Sequence, residues 1–434
     1  MPPVTSPPLG GHSLLIFLVG AVALLGTALL LGRLAERLKL PAVAGELCAG
    51  ILLGPSALGR IAPGLFRWLH TSTAAQMHLL DAIGQIGVIL LVGVTALEID
   101  LGLVRRTARV SLGVGALGLF IPLAFGVAAG FAAPPILRPA GREPALFALF
   151  VGVAMGVSAL PVIGKMLSDM RLLHRDVGQL TVATGVVDDI VGWMLLSVVA
   201  AAAAGTLGPA AVLKPVCWLV VIAALAALVG RPAARALVDR TSSPQGAAGV
   251  AVVLILGCAT ATQAAGLEAS FGALLGGLLV GGCRGATAAK LAPLRCVTLS
   301  VLAPLYFAEA GLRMDLGVLA RPAIALAAAA ALAAATLGKF AGAFLGARLV
   351  GLDRRAAMVL GAGLNARGVI QIIVAGVGLQ LGVLNTAAYT VLVMIAIATS
   401  LMAPPVLRRA VARIEVTEQE RVRGERAGQL IGVP

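Results

Sequence analysis

Residues 176–204 are long and apolar enough to cross a bilayer, yet Asp188 and Asp189 stand side by side near the middle of the run. The bilayer core holds no water to satisfy backbone N–H and C=O groups, so a run of this length must fold as a helix. A charged Asp at the centre of such a helix costs at least ~3 kcal/mol on insertion scales. A chain that keeps two of them has either paired them or uses them, and the couplet reads as a site for a small cation and for protons. Neighbouring helix positions point about 100° apart. The two carboxylates therefore serve different roles, one facing an ion path and the other a partner helix.

Similar runs recur along the chain. At roughly 20 apolar residues per crossing, about 13 spans follow, at 13–32, 41–58, 78–98, 108–132, 144–167, 176–204, 210–229, 246–265, 268–283, 297–316, 321–349, 356–381 and 385–406. This describes an all-α polytopic membrane protein. Hydrophobic residues make up 59% of the sequence and charged residues 12%, about half the charge of a soluble domain. Aromatic residues are only 4%, and the Ala and Gly that fill the runs suit helices packed through small side chains. A net charge of +14 would suggest nucleic acid as a partner of a soluble protein. Here the basic residues sit in short connectors, where topology explains them and nucleic acid is not needed. The five cysteines and four histidines are dispersed. They offer neither a disulfide framework nor a metal cluster, and without a nucleophile–base or metal constellation an enzyme is not indicated.

Lys and Arg concentrate in alternate connectors: Arg33, Arg37 and Lys39; Arg105, Arg106 and Arg109; Lys165, Arg171 and Arg175; Arg231, Arg235 and Arg240; Arg284, Lys290 and Arg295; Arg348, Arg354 and Arg355. Those connectors are expected in the cytoplasm, which places the N-terminus outside and the C-terminus inside. Residues 1–406 form the membrane unit and 407–434 a short polar cytoplasmic tail. Met1–Gly11 holds no basic residue, which argues against a cleaved signal.

Two spans are interrupted. The fifth contains Gly156-Val-Ser-Ala-Leu-Pro161, and Pro161 brings no amide donor and frees backbone groups at depth. The twelfth contains Gly361-Ala-Gly-Leu-Asn-Ala-Arg-Gly368, a polar break with Asn365 and Arg367. The breaks lie seven spans apart, so their helices run in opposite directions. That pattern marks inverted-topology repeats with discontinuous helices around a midplane site.

Lys339 lies inside an apolar run of the eleventh span, where a lone ammonium is expensive. Burial and pairing act in opposite senses on a Lys–Asp couple, so one that opens when a cation arrives is a proton switch needing no cofactor. A purely structural salt bridge and a Lys that snorkels to the interface are the other readings. Ser158 and Thr184 supply hydroxyl oxygens, the hard ligands sodium prefers, and equally common packing groups. Glu98 reads as an interfacial charge, Glu268 as a helix-terminal one, and Glu46 and Glu309 lie deeper. Glu309 is expected to pair structurally, with Arg313 or Arg367.

Six segments, taken in order, resemble one family: Gly45-Glu-Leu-Cys-Ala-Gly-Ile-Leu-Leu-Gly-Pro55, Ser158-Ala-Leu-Pro-Val-Ile-Gly-Lys-Met-Leu167, the Asp188–Asp189 pair, Pro304-Leu-Tyr-Phe-Ala-Glu-Ala-Gly-Leu-Arg-Met-Asp315, Gly338-Lys339 and Asn365-Ala-Arg-Gly368. The family is the bacterial monovalent cation:proton antiporters, in the branch that includes NapA-like sodium/proton exchangers and KefC-like potassium efflux proteins. The resemblance covers roughly residues 13–406 and implies an NhaA/NapA-like fold with two crossed discontinuous helices. It also implies interleaved dimerisation and core subdomains, a homodimer in the lipid of a bacterial inner membrane, and elevator-type alternating access. Asp189 would bind Na+ or protons, and Asp188 would pair with Lys339 when no cation is bound. An Asp–Asp pair implies electrogenic exchange, two protons for one sodium ion. Gln371 stands where many relatives place an acid just after the Arg-Gly pair, and no KefC-like nucleotide-binding domain follows Pro405. The alternatives are exchange or efflux of potassium, and from other classes an organic-ion exporter or a channel, though a channel would need a continuous polar path.

Overall fold

The computed structural model describes residues 11–421 except 39, 71–73, 98, 100, 171, 173, 204–216, 219, 223, 242, 284, 413 and 419. Glu98, the first part of the predicted 210–229 span and the tail beyond 421 lie outside the described residues. The helices are α1 (Gly11–Arg37), α2 (Ala42–Leu53), α3 (Leu58–Ile61), α4 (Pro63–His70), α5 (Ala74–Ala96), α6 (Leu101–Ala132), α7 (Pro144–Gly156), α8 (Leu160–Asp169) and α9 (Asp176–Ala203). They continue as α10 (Arg231–Asp239), α11 (Pro244–Ala264), α12 (Ala269–Gly281), α13 (Ala288–Val297), α14 (Ala303–Leu312), α15 (Pro322–Leu349), α16 (Arg354–Leu364), α17 (Val369–Gln380) and α18 (Thr386–Val411). Among the described residues no strand occurs. Among the described residues, ten helical segments can cross a membrane by length and composition, or eleven when the bent pair α16–α17 counts as one span. Two further predicted spans correspond to the shorter apolar helices α7, with its continuation α8, and α12.

The chain divides into two compact units, one of residues 1–91 and 294–317 and the other of 92–293 and 318–434. The first is built on α1, α2 and α14, with Leu24, Ala28, Ala49, Leu80, Leu305, Ala308 and Leu312 as its core. Its helices touch through glycine: a Cβ at Gly50 would lie 1.8 Å from the Ala308 carbonyl oxygen, and one at Gly311 would lie 2.2 Å from that of Leu47.

In the second unit α6 packs along α7, α9 and α15. The α6–α15 contact is equally close, since a Cβ at Gly342 would meet the Leu117 carbonyl at 2.3 Å and one at Gly346 would meet the Val114 Cα at 2.8 Å. Small residues thus let backbones approach where lipid supplies no hydrophobic drive for helices to associate. Both predicted interruptions are present. One helix stops at Gly156 and another starts at Leu160, with Val157–Ala159 between them. Pro161 falls at the second position of α8, where its missing N–H costs nothing, so it begins the second half rather than kinking a continuous helix. In the other, α16 ends at Leu364, Asn365–Gly368 are non-helical, and α17 leaves at 44°.

Candidate functional site

The two interruptions meet. The Ala159 amide donates to the Ala366 carbonyl at 3.3 Å, and a Cβ on Gly368 would come within 2.8 Å of the Val162 side chain. A helix that stops leaves its last carbonyls and first amides without intrahelical partners, so this junction gathers polar backbone groups at a buried place. α9 brings its two carboxylates to it.

Asp188 and Lys339 form a salt bridge of 2.6 Å between Oδ2 and Nζ, with side chains 1% and 0% exposed. Lys339 Nζ also donates to the Gly156 carbonyl at 2.7 Å, the last residue of α7. The ammonium is therefore held by a carboxylate and by the carbonyl end of a half-helix, which favours positive charge. Asp188 Oδ2 is shared: the Ser158 hydroxyl lies 2.8 Å from it and 3.1 Å from the Leu364 carbonyl. Oδ1 of Asp188 has no hydrogen-bond partner and faces α6 at Gly115.

Asp189 is 3% exposed. It receives a backbone hydrogen bond from Leu160, the first residue of α8, and its Oδ1 is unpartnered. Thr184, one turn before Asp188, is buried and donates its proton to the Leu180 carbonyl at 2.8 Å, which leaves only lone pairs for any further contact. Asn365 ends α16 with an unpartnered Oδ1.

Arg367 is fully buried. One guanidinium nitrogen donates to the Ala335 carbonyl at 2.7 Å, one turn before Lys339, while Nε and Nη1 have no acceptor. The Ser400 hydroxyl donates to the Arg367 carbonyl, and Gln371 Nε2 to the Leu392 carbonyl at 3.1 Å. Of these Ser400 gave no sequence signal, being one hydroxyl among many in apolar runs.

Glu309 lies in the other compact unit and pairs with Arg313, one of its two expected partners, at 2.8 Å, four residues on. Arg313 also binds Asp81, an acid near the start of the third span that carried no expectation from the sequence. Its position inside an apolar run was the available signal. Glu46 is buried, its side chain packed at Gly32 of α1.

A further polar cluster ties the tail to the start of α9. Glu420 accepts from Arg175 Nε at 3.1 Å, from the Asp176 amide at 2.8 Å and from the Thr417 amide at 2.9 Å, while Arg175 also donates to the carbonyls of Ile414 and Glu415. Thr417 and Glu420 make the reciprocal contacts of a capping box. Burial alone would raise the Glu420 carboxyl, but these amides and the guanidinium outweigh it and hold the group below its ordinary value.

A family model described as "sodium/hydrogen exchanger, transmembrane" matches residues 21–413. The Na(+)/H(+) antiporter NhaS4 of Synechocystis is 29% identical over 402 residues, 91% of this chain and 97% of that protein. The K(+)/H(+) antiporter 1 of Saccharomyces cerevisiae is 26% identical over 382 residues, 85% of this chain, and the chain spans only 43% of the yeast protein's length. The sodium proton antiporter MjNhaP1 of Methanocaldococcus jannaschii has the same fold, with a TM-score of 0.66 at 18% identity over 91% of this chain and 97% of that one.

Proposed function

Because the chain belongs to the sodium/hydrogen exchanger family, we propose that it is a secondary-active antiporter, exporting cytoplasmic sodium or lithium against inward protons across a bacterial inner membrane. The observation that carries this reading is the fully buried Asp188–Lys339 pair, joined to both helix interruptions beside an Asp189 with an unshared oxygen.

In the proposed cycle Asp189 holds either the cation or a proton. An ion arriving there places positive charge next to Asp188, weakens the hold of Lys339, and so couples cation entry to proton release. Lys339 keeps the Gly156 carbonyl when Asp188 lets go, so the ammonium is not stranded. Asp188 carries the second charge of an electrogenic exchange, two protons for one sodium. Thr184 is a secondary cation ligand through its lone pairs. The chain acts as a homodimer in lipid with its N-terminus outside and its C-terminus in the cytoplasm. A dimerisation subdomain serves as scaffold and an interleaved core subdomain carries the site in elevator fashion, with the two interrupted helices crossing.

Carboxylate and hydroxyl oxygens do not choose among alkali ions. The likeness to a yeast protein named for potassium keeps potassium as the second reading. Proteoliposomes holding a pre-set pH gradient test both. Sodium added outside should collapse the gradient, and Asp189→Asn should abolish the response. Exchange retained in that variant removes Asp189 from the site, and potassium acting in place of sodium selects the second reading.

A further inference from the structure

The connector between α6 and α7 carries two arginines that spend their protons on carbonyls at helix ends. Arg138 turns back on the helix it follows, donating to the Phe131 and Ala133 carbonyls at 2.5 and 2.8 Å. Arg142 reaches across the fold. Its Nη1 donates to the Ala203 carbonyl at the end of α9 at 3.1 Å, and its Nη2 to the Leu381 carbonyl at the end of α17 at 2.8 Å. Those partners lie 61 and 239 residues further along the chain, while Pro144 opens α7 just after the arginine. The last carbonyls of a helix have no intrahelical donors and favour a cation. One guanidinium therefore joins the start of α7 to the ends of α9 and α17, all within one compact unit.

The three helices tied by Arg142 are also the ones that converge on the Asp188–Asp189 site. α7 ends there with the Gly156 carbonyl on Lys339, α9 carries both aspartates, and α17 begins at Val369, directly after the second interruption. α7 and α17 contain 13 and 12 residues. At 1.5 Å per residue, these helices and the stretch of α9 from Asp189 to Ala203 each reach roughly 20 Å. Three legs of nearly equal length thus meet at the site at one end and at Arg142 at the other. We infer that Arg142 is a positioning residue for cation binding, fixing the axial register of α9 and α17 against α7 from about 20 Å away. This rests on the antiport reading. The contacts at the site span these legs: Leu160, in the continuation of α7, donates its amide to Asp189, and Ser158 joins Asp188 to Leu364, just before the second interruption. A slip of one leg along its axis lengthens them, and a binding constellation must be held within about 0.5 Å. Arg142 itself is exposed, so it acts through where it holds the helices and not through its own burial. The planar guanidinium suits that task because it offers separate N–H groups to two carbonyls at once.

The full chain in proteoliposomes tests this, with initial rates of sodium-driven proton flux measured against sodium concentration and thermal midpoints measured in detergent. Arg142→Gln removes the bridge, so the apparent KM for sodium should rise about three- to tenfold while the maximal rate stays within about twofold. Arg138→Gln is the control, since it breaks similar carbonyl bonds within the end of one helix. It should lower the thermal midpoint by a comparable amount and leave KM unchanged. Arg142→Lys keeps the charge without the fork, and its KM should fall between those of the wild type and the Gln variant. Should the Gln variant fail to reconstitute, that intermediate rise in KM decides the matter. An unmoved KM in the Arg142 variants, or an equal rise in Arg138→Gln, would make Arg142 a stabilising contact only and overturn the inference. Either result leaves antiport standing, whereas a wild-type protein without cation-driven proton flux fails the antiport reading itself.

Discussion

Two ion clusters in this protein use similar residues to different ends. Lys339 and Asp188 are 0% and 1% exposed, and around them Asp188 Oδ1, Asp189 Oδ1, Asn365 Oδ1 and two nitrogens of Arg367 go without partners. Arg313, Asp81 and Glu309 are 26%, 35% and 10% exposed, and none of their polar atoms is buried and unsatisfied. The second cluster is fastened, one cation clamped by two acids nearer the protein surface. The first is deep and keeps spare acceptors and donors, which is costly and hard to explain unless an ion or a proton completes it in turn. Unspent hydrogen-bonding capacity at full burial, more than charge alone, separates the proposed site from the brace.

The sharpest way to break that contrast is Asp189→Asn, expected to abolish cation-driven proton flux in proteoliposomes; a variant that still exchanges would reduce the deep cluster to a brace as well. Lys339→Ala comes next. Leaving Asp188 charged and unpaired should cost about 3–5 kcal/mol, read as a large fall in thermal midpoint in detergent. Lys339→Gln should keep more stability while losing electrogenic current, so an unchanged current would make the lysine structural. Arg313→Ala should cost only about 1 kcal/mol with exchange intact. A loss as large as that of Lys339→Ala would erase the distinction between the clusters. The smallest effect belongs to the tail. The Glu420 carboxyl is held below its ordinary value of 4.5, so the docking it supports is fully present above that pH and is lost as pH falls through the lower, folded value. Hydrogen exchange at the Thr417 and Asp176 amides, corrected for intrinsic rate, should be flat from pH 7 to 5 and lose protection below about 4.5. Glu420→Gln should lose part of that protection already at pH 7.

What was readable in advance follows the same division. The Asp couplet, Lys339 and both interruptions stand out in the sequence because a charge, a proline or a glycine-rich polar stretch is expensive in lipid. The partners do not stand out. Lys339 dividing its protons between Asp188 and Gly156 and Ser158 lying between Asp188 and Leu364 depend on how closely helices approach, which no local pattern encodes, whereas Glu309 pairing with Arg313 is an i,i+4 contact that the spacing does offer. The Thr417–Glu420 capping box is a local signal and could have placed a helix start in the tail. Its union with Arg175 joins residues 245 positions apart and could not be read from either segment alone.

The contact of α15 with α6 leaves no slack. With Gly342 and Gly346 set against the opposing backbone, the rod that bears Lys339 cannot slide without collision. The ammonium can then change its companion only by swinging its own four-carbon tether, or by riding with both rods as one plank. Widening that seam with a single methyl group would shift the anchorage of the charge without touching any charged residue.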